Sequence, residues 1–293
     1  MSSVFKAVLA ALLVILAPSA AWGRDTITWA SLDFPPWMIL EGPHRGQGVW
    51  DELQQYLIDA LPEYDHRVQV MNNERYELLA RQGEKVCKVY YFKTPARERL
   101  LHYSIPSVVF LANQVVMRAD KAALLGHPTH LSLAALLQDP RFAGTVVKGR
   151  SYGPQIDALL RAHLAQGRVR EAVTTNESLF QYLADGRTDY ILEFPAVRDF
   201  FEQDLSARPA LVNIAIDEAD PANLTYVTCV RNAWGAAVIA RVDRLLERRI
   251  ASPAHRSATL RWYLPADQQT LGRFYDRLLL APLHAPEPAH GRP

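Results

Sequence analysis

The sequence has few cysteines and almost no excess charge of either sign. Its 293 residues include two cysteines, and 32 lysines and arginines nearly balance 31 aspartates and glutamates, for a net charge of +1. This near-neutrality gives no electrostatic reason to expect nucleic acid or an acidic membrane as a partner. No CxxC pair and no Cys/His cluster occurs, so we expect no metal site built on cysteine and no cofactor. Ordinary amounts of glycine and proline, 14 and 19 residues, exclude collagen-like and low-complexity classes.

Long apolar runs are also lacking, and the most apolar stretch lies within the first 23 residues. There, Lys6 precedes the uncharged stretch 7–17, and small residues follow as far as Gly23. This three-part order is typical of a secretory signal peptide. The apolar stretch is shorter than the roughly 17–25 residues that cross a bilayer as a helix. We therefore predict a signal peptide at 1–23, cleaved after Gly23 or Ala21, and an exported mature chain.

The two cysteines, Cys87 and Cys229, lie far apart in the sequence. In an oxidising compartment two thiols more often pair than remain free, so we expect a disulfide between them. Two buried structural thiols are the alternative.

Apolar periodicity and turn residues predict two sets of alternating strands and helices. The first set comprises strands at 27–32, 66–71 and 86–92 with helices at 50–61 and 74–82. A strand at 108–117 leads to the second set, with strands at 145–148, 169–173, 189–194 and 211–216 and helices at 131–137, 154–166, 179–184 and 196–201. A strand at 225–231, a long helix at 236–249 and an amphipathic stretch at 270–280 follow. This alternation predicts an α/β fold with mostly parallel sheets and helices on their faces.

Four short motifs resemble one family of binding proteins. They are Phe34-Pro-Pro-Trp37, Gly46-x-Gly48, Thr94-Pro-Ala-Arg97-Glu-Arg99 followed by Tyr103-Ser-Ile-Pro106, and Gly186-Arg-Thr-Asp189-Tyr. Their order over about 27–280 is similar to that of type II periplasmic solute-binding proteins, specifically the extracellular family 3 that captures polar amino acids for ABC importers. The third motif is the most specific of the four.

The resemblance implies two lobes, joined by two crossover strands, with the ligand held in the cleft between them. On this pattern lobe 1 comprises 24–117 plus 221–280, lobe 2 comprises 118–220, and 281–293 is a disordered tail. It also implies a monomeric periplasmic protein with a small polar ligand and an inner-membrane ABC permease as partners. Ligand contacts to both lobes would favour the closed state, and no enzymatic activity is expected.

Arg97 is the residue expected to bind a carboxylate group. Only a guanidinium offers two parallel donors to a carboxylate that leaves water, and Arg97 matches the carboxylate-binding arginine of the family. The alternatives are that Arg97 is a solvated arginine at a helix start, or that Arg99 has this role instead. Thr94 is expected either to donate its hydroxyl to the ligand or to cap the following helix.

Phe34 and Trp37 follow the first strand, at the edge where ligands bind in open α/β sheets. The resemblance implies that Phe34 covers the side chain of the ligand, and Trp37 is a second candidate. Core packing is the alternative for both aromatic residues.

From lobe 2, the loop 149–153 joins a strand to a helix and brings Ser151 and backbone N–H groups to the helix start, where anions are favoured. Glu193 ends a strand and is expected to pair with the ammonium of the ligand. A salt-bridged acid at a strand end is the alternative for Glu193.

Three positions depart from the pattern of the family, which usually carries acidic residues there. This chain has Trp50, Cys87 and Phe194 at those positions. The departures predict a divergent member whose ligand differs from the usual amino acid.

The segment Gly149-Arg150-Ser151-Tyr152-Gly153 also matches the Gly-x-Ser-x-Gly nucleophile elbow of hydrolases. A secreted serine hydrolase using Ser151 is therefore an alternative, although it needs an acid and a histidine later in the chain. Further alternatives are a lyase-type enzyme on the same fold and a sensory module. The pair His127-x-x-His130 lacks a nearby third ligand, so we expect no metal there.

Overall fold

The computed structural model describes residues 24–202 and 210–284. The predicted signal peptide and 285–293 of the predicted tail lie outside this part. No helix within the described residues is long and apolar enough to cross a membrane.

The described residues form strands and helices that alternate along most of the chain. The strands are β1 (Thr26–Ser31), β2 (Asp65–Val70), β3 (Val86–Tyr91), β4 (Leu101–Leu111), β5 (Gln114–Arg118), β6 (His130–Leu131), β7 (Gly144–Val147), β8 (Val169–Ala172), β9 (Tyr190–Glu193), β10 (Leu211–Ile216) and β11 (Ala222–Val230). The helices are α1 (Val49–Ala60), α2 (Asn73–Arg81), α3 (Pro95–Glu98), α4 (Ala119–Ala123), α5 (Leu133–Gln138), α6 (Pro154–Leu164), α7 (Asn176–Ala184), α8 (Pro195–Glu202), α9 (Ala233–Ile250), α10 (Pro253–Leu260), α11 (Pro265–Tyr275) and α12 (Ala281–His284), with a π-helical turn at Asp276–Leu280.

These strands build two mixed sheets, each flanked by helices. The first sheet has the order β2-β1-β3-β11-β4, with β1 parallel to β2 and β3 and with β11 antiparallel to both neighbours. The second has the order β6-β10-β5-β9-β7-β8, with β7 parallel to β8 and β9 and with β5 antiparallel to β9 and β10. We call the first sheet with its helices lobe 1 and the second sheet with its helices lobe 2. The predicted two-lobed α/β fold class is confirmed.

The chain passes from lobe 1 to lobe 2 at 112–113 and returns at 217–221. The backbone N–H of Ala112 donates to the carbonyl of Pro221 at 3.1 Å, so the two crossings lie side by side. The strand predicted at 108–117 is therefore two strands in different sheets. The lobe boundaries expected from the sequence stay a prediction. Because β5 belongs to the second sheet, a division by sheet would place the first boundary at 112–113 instead of 117/118.

Two helices near the C-terminus, α10 and α12, differ from the elements predicted from the sequence. Helix α10 was not predicted, although Ser252 caps it by accepting from the backbone N–H of His255 and Pro253 occupies its first turn. Helix α12 lies at the start of the stretch expected to be a disordered tail.

Of the three core clusters within the described residues, one extends across both lobes. One cluster of buried side chains contains Trp29 and Val227 from lobe 1 together with Phe180 and Ile191 from lobe 2. The facing surfaces of the lobes are therefore in direct apolar contact over part of their boundary.

The expected disulfide between Cys87 and Cys229 is present and joins β3 to β11 at paired positions, fully buried. The two cysteines are 142 residues apart. A loop of that length gives a stabilisation of about 5 kcal/mol in the chain-entropy treatment, chiefly by restricting the unfolded state.

Candidate functional site

A cavity of about 490 Å³ lies where lobe 1 meets the loop before α6 of lobe 2. Helix α2 and the segment around α3 supply most of its wall, and Ser151 supplies the contribution from lobe 2. The lining residues are Glu77, Arg81, Thr94, Ala96, Arg97, Arg99, Leu100 and Ser151. The volume is within the range of pockets that hold small molecules.

Arg97 is fixed in this cavity by contacts on three sides. Its guanidinium carbon lies 4.0 Å from the centre of the Tyr91 ring, its Nε donates to Glu77 Oε1 at 3.2 Å, and its Nη1 donates to the carbonyl of Phe92 at 3.4 Å. The side chain is 19% exposed. Among the described residues none accepts a hydrogen bond from Nη2, so this donor is available to a solute.

Glu77 already accepts a hydrogen bond from the Nε of Arg97. Its carboxylate also accepts from the hydroxyl of Tyr91 at 2.7 Å and from Arg81 Nη2 at 3.2 Å. Burial alone would raise the pKa of Glu77, but the hydrogen bonds from Tyr91 and Arg97 outweigh it and hold the pKa below its ordinary value. Glu77 is therefore ionised at neutral pH, and a solute carboxylate has to share Arg97 with it.

Thr94 both lines the cavity and caps α3. Its Oγ1 accepts from the backbone N–H of Arg97 at 3.3 Å, the capping role that the sequence left open. The cap orients the first turn of α3 and so places Arg97 against Tyr91.

Phe34 and Trp37 lie in an aromatic cluster rather than in the cavity. Trp37 is 1% exposed, and its ring centre lies 5.2 Å from that of Phe110 and 4.9 Å from that of Phe194 in lobe 2. Phe34 stacks at 6.2 Å on Trp50. The structure thus places Trp37 in the core, which is the core packing that the sequence analysis gave as the alternative to a ligand contact. Phe34 lies at the boundary of the lobes.

A buried ion pair lies beside this cluster. Arg150 donates from Nη1 and Nη2 to the two carboxylate oxygens of Glu193, each at 2.6 Å, and Glu193 is completely buried. Burial disfavours the charge of Arg150, yet Glu193 outweighs it and raises the pKa of Arg150 above its ordinary value. The guanidinium carbon also lies 5.3 Å from the ring centre of Phe34 and 5.3 Å from that of Phe194.

Arg150 therefore occupies the place expected for the ammonium of a ligand. The sequence indicated Glu193 as a partner for an ammonium group or as a salt-bridged acid at a strand end, and the structure shows the second arrangement. Arg150 itself was not singled out, because the Gly-x-Ser-x-Gly pattern drew attention to the neighbouring Ser151. The available signal was that Arg150 and Glu193 both lie at the carboxyl ends of predicted strands, which meet at one sheet edge when the strands are parallel.

Within the described residues, Ser151 forms no hydrogen bond with a histidine, the base that a Ser-His-acid triad requires. Its hydroxyl donates to Asp157 Oδ2 at 2.6 Å, and it accepts weakly from the backbone N–H of Gly153 at 3.4 Å. His163 and His255 bond instead to the carbonyls of Leu159 and Ser107. The serine-hydrolase alternative is not supported.

His130 bonds through Nδ1 to Asp217 Oδ1 at 2.8 Å. In the described part of the chain, no group of three or more His, Cys, Asp or Glu residues is placed to hold a metal ion.

No protein-family model matches the chain, and no curated protein sequence matches it. Solved structures do match it. The probable amino-acid ABC transporter extracellular-binding protein ytmK from Bacillus subtilis has a TM-score of 0.60 at 15% identity, over 81% of this chain and 97% of that one. A structure concerned with glutathione import via GshT and the cystine ABC importer TcyBC of Streptococcus mutans has a TM-score of 0.63 at 15% identity, over 84% and 99%.

A third similar structure is a histidine kinase sensor domain with similarity to periplasmic binding proteins. It has a TM-score of 0.61 at 14% identity, over 82% of this chain and 96% of that one. At such identities the likeness establishes the fold alone. This chain has the two-lobed fold of the type II periplasmic binding proteins, as its sequence motifs indicated.

Proposed function

We propose that this chain is an exported solute-binding protein that captures a small carboxylate-bearing solute between its lobes for an ABC importer of the inner membrane. The observation that carries the proposal is the cavity that Arg97 of lobe 1 and Ser151 of lobe 2 line together. The fold and the names of the similar binding proteins support it. Nothing in this arrangement calls for bond-breaking chemistry.

The described contacts assign each residue a role in this proposal. Arg97 supplies Nη2 to a carboxylate oxygen, with its plane held by Tyr91 and Glu77. Thr94 fixes the turn that carries Arg97. Ser151 closes the cavity from the side of lobe 2, and Glu193 takes no part because Arg150 neutralises it.

The experiment is a thermal-shift screen of small carboxylates, both amino acids and organic acids, on the mature chain. A solute at 100 times its dissociation constant adds about 2.7 kcal/mol of stability and raises the melting temperature. Arg97→Lys keeps a positive charge beside Glu77 but loses Nη2 and the planar group that stacks on Tyr91. We expect it to weaken binding of the best carboxylate at least about tenfold in calorimetry.

Arg75 provides a matched control because it is exposed on α2 and lies outside the cavity. Arg75→Lys should leave the affinity unchanged. The proposal is wrong if no carboxylate stabilises the protein, or if Arg97→Lys binds as tightly as the unmodified chain.

A second candidate function is a sensory module, and the packing between the lobes favours it. Phe194 of lobe 2 contacts Trp37 and Phe110 of lobe 1, so the lobes are already in apolar contact. A sensor domain is also among the similar structures. Small-angle scattering separates the two functions: capture for import predicts a decrease in the radius of gyration when the best carboxylate is added, whereas a pre-closed sensor predicts no change.

A further inference from the structure

We infer that the solute carries at least two negative charges and no amino group; this inference rests on the proposed function of the same cavity. It departs from the amino-acid ligand that the sequence motifs suggested. Two features of the described residues carry it: an excess of guanidinium groups around the cavity, and the contacts that Glu77 and Glu193 already make with arginines.

Three arginines and one glutamate line the cavity, which leaves two positive charges in excess. Arg97 and Arg81 both bond to Glu77. Arg99 is exposed, and its side chain forms no hydrogen bond or ion pair with any described residue. One negative charge on a solute would still leave a guanidinium without a counter-charge, whereas a second negative group satisfies it.

An ammonium group would meet a lining whose one carboxylate is already bound by two guanidinium groups and a hydroxyl. Glu77 uses one oxygen for Tyr91 and Arg97 and the other for Arg81. The Oγ1 of Thr94 accepts from the backbone of Arg97. A cation placed among three guanidinium groups would be repelled, and it would gain no compensating hydrogen bond.

Glu193 does not provide that acceptor either. It lies outside the cavity lining, and each of its oxygens receives a 2.6 Å bond from Arg150. One oxygen also accepts from the backbone N–H of Phe194 at 2.8 Å. A ligand ammonium would have to displace Arg150, and a buried guanidinium would then lose its counter-charge, at a cost of several kcal/mol.

The lining therefore fits a small dicarboxylate or another compact dianion. One anionic group would bind Arg97 through Nη2, and the other would approach Arg99 and Arg81 at the open side. Carboxylate and phosphate groups share the chemistry that arginines recognise, so the experiment includes both.

The test compares four probes by calorimetry on the mature chain: succinate, its monoamide succinamate, inorganic phosphate and glutamine. Succinamate has the size of succinate but one charge fewer, so the ratio of their affinities measures the contribution of the second charge. We expect succinate or phosphate to bind at least about tenfold more tightly than succinamate, equivalent to roughly 1.4 kcal/mol, and we expect glutamine to bind more weakly than either.

Arg99→Gln should reduce the succinate-to-succinamate ratio to about one, because it removes the unpaired guanidinium. Arg75→Gln, outside the cavity, should leave the ratio unchanged. Tighter binding of phosphate than of succinate identifies a phosphate-like dianion and supports the same inference.

Three outcomes contradict the inference and are distinguishable from one another. If glutamine binds more tightly than succinate and phosphate, the inference is wrong while the solute-binding function stands. If none of the four probes binds, the inference is wrong, and the thermal-shift screen of small carboxylates decides separately whether the proposed function stands. A succinate-to-succinamate ratio that Arg99→Gln does not change also contradicts the inference.

Discussion

Lys88 lies on β3 with its side chain completely buried. Its Nζ donates to Asn73 Oδ1 at 2.6 Å and lies 4.5 Å from the ring centre of Tyr90 and 5.3 Å from that of Tyr91. Burial, and secondarily the charge of Arg97, lowers the pKa of Lys88 from 10.5 to about 7. At neutral pH this amine is therefore close to half neutral, and the rings around it offset part of the cost of its charged form.

The lowered pKa makes stability depend on pH in a defined direction. Between about pH 7 and 10.5 the unfolded chain holds the proton of Lys88 and the folded chain has released it, so this residue makes stability increase with pH across that window. Lys88→Met removes the buried charge. We expect the variant to exceed the unmodified chain in melting temperature by several degrees at pH 6.5, and we expect this difference to shrink towards pH 10.

Lys85→Met is the control for this prediction, because Lys85 is 44% exposed and pairs with Asp25 at the surface. The difference in melting temperature between Lys85→Met and the unmodified chain should not shrink between pH 7 and 10. If the difference in melting temperature between Lys88→Met and the unmodified chain stays constant from pH 6.5 to 10, Lys88 is charged in the folded protein over that whole range.

At the scale of elements, the loop before α1 shows two glycines required for two different reasons. Gly46 has a φ of +76° with open space around its Cα, whereas Gly48 has an ordinary φ but lies against the backbone of Trp37. A Cβ on Gly48 would lie 2.1 Å from the carbonyl oxygen of Trp37. That oxygen accepts from the backbone N–H of Trp50 at 2.9 Å, so the contact fixes the start of α1.

Substitutions by Ala and Asn distinguish the positive φ of Gly46 from the close backbone contact of Gly48. Gly46→Ala should cost roughly 1–2 kcal/mol for the left-handed backbone, and Gly46→Asn should cost less because Asn tolerates that conformation. Gly48→Ala should cost about 3 kcal/mol or more because backbone has to move, and Gly48→Asn should be no better. Denaturant unfolding measures all four, and a benefit of Asn at Gly48 would contradict this account.

The sequence predicted most elements because their signals are local. The bounds of β1 and β10 follow from apolar runs bounded by turns, and the alternation with helices fixed the fold class. The division between β4 and β5 was missed because both are apolar and only the crossing at 112–113 separates them. A change of sheet depends on tertiary packing and has no local signal.

The site was predictable only in part for the same reason. Arg97, Thr94 and Ser151 line one cavity because α3 and the loop before α6 bring them together, and their role in binding stays a prediction. The pairing of Arg150 with Glu193 depends on a contact between residues 43 positions apart. Periodicity describes one element at a time and does not specify which charges meet.

At the scale of the whole molecule, the two lobes are held together by an apolar contact as well as by the two crossings. Phe194 is 3% exposed, and its ring centre lies 4.9 Å from that of Trp37 and 5.2 Å from that of Phe110. The ion pair of Arg150 and Glu193 lies next to it, beneath Phe34. The apolar contact and the ion pair therefore both stabilise the packed arrangement of the lobes, and neither of them involves a solute.

Phe194→Ala removes the lobe 2 side of this contact and should cost roughly 3–5 kcal/mol. Phe142 is a matched control, because it is 4% exposed in a core cluster formed by lobe 2 residues alone. Both Phe→Ala variants should lose comparable stability in denaturant unfolding. Only Phe194→Ala should raise the radius of gyration in small-angle scattering under native conditions, since the lobes then separate about the crossings at 112–113 and 217–221. Equal radii for the two variants would mean that the crossings and the remaining contacts hold the lobes closed without Phe194.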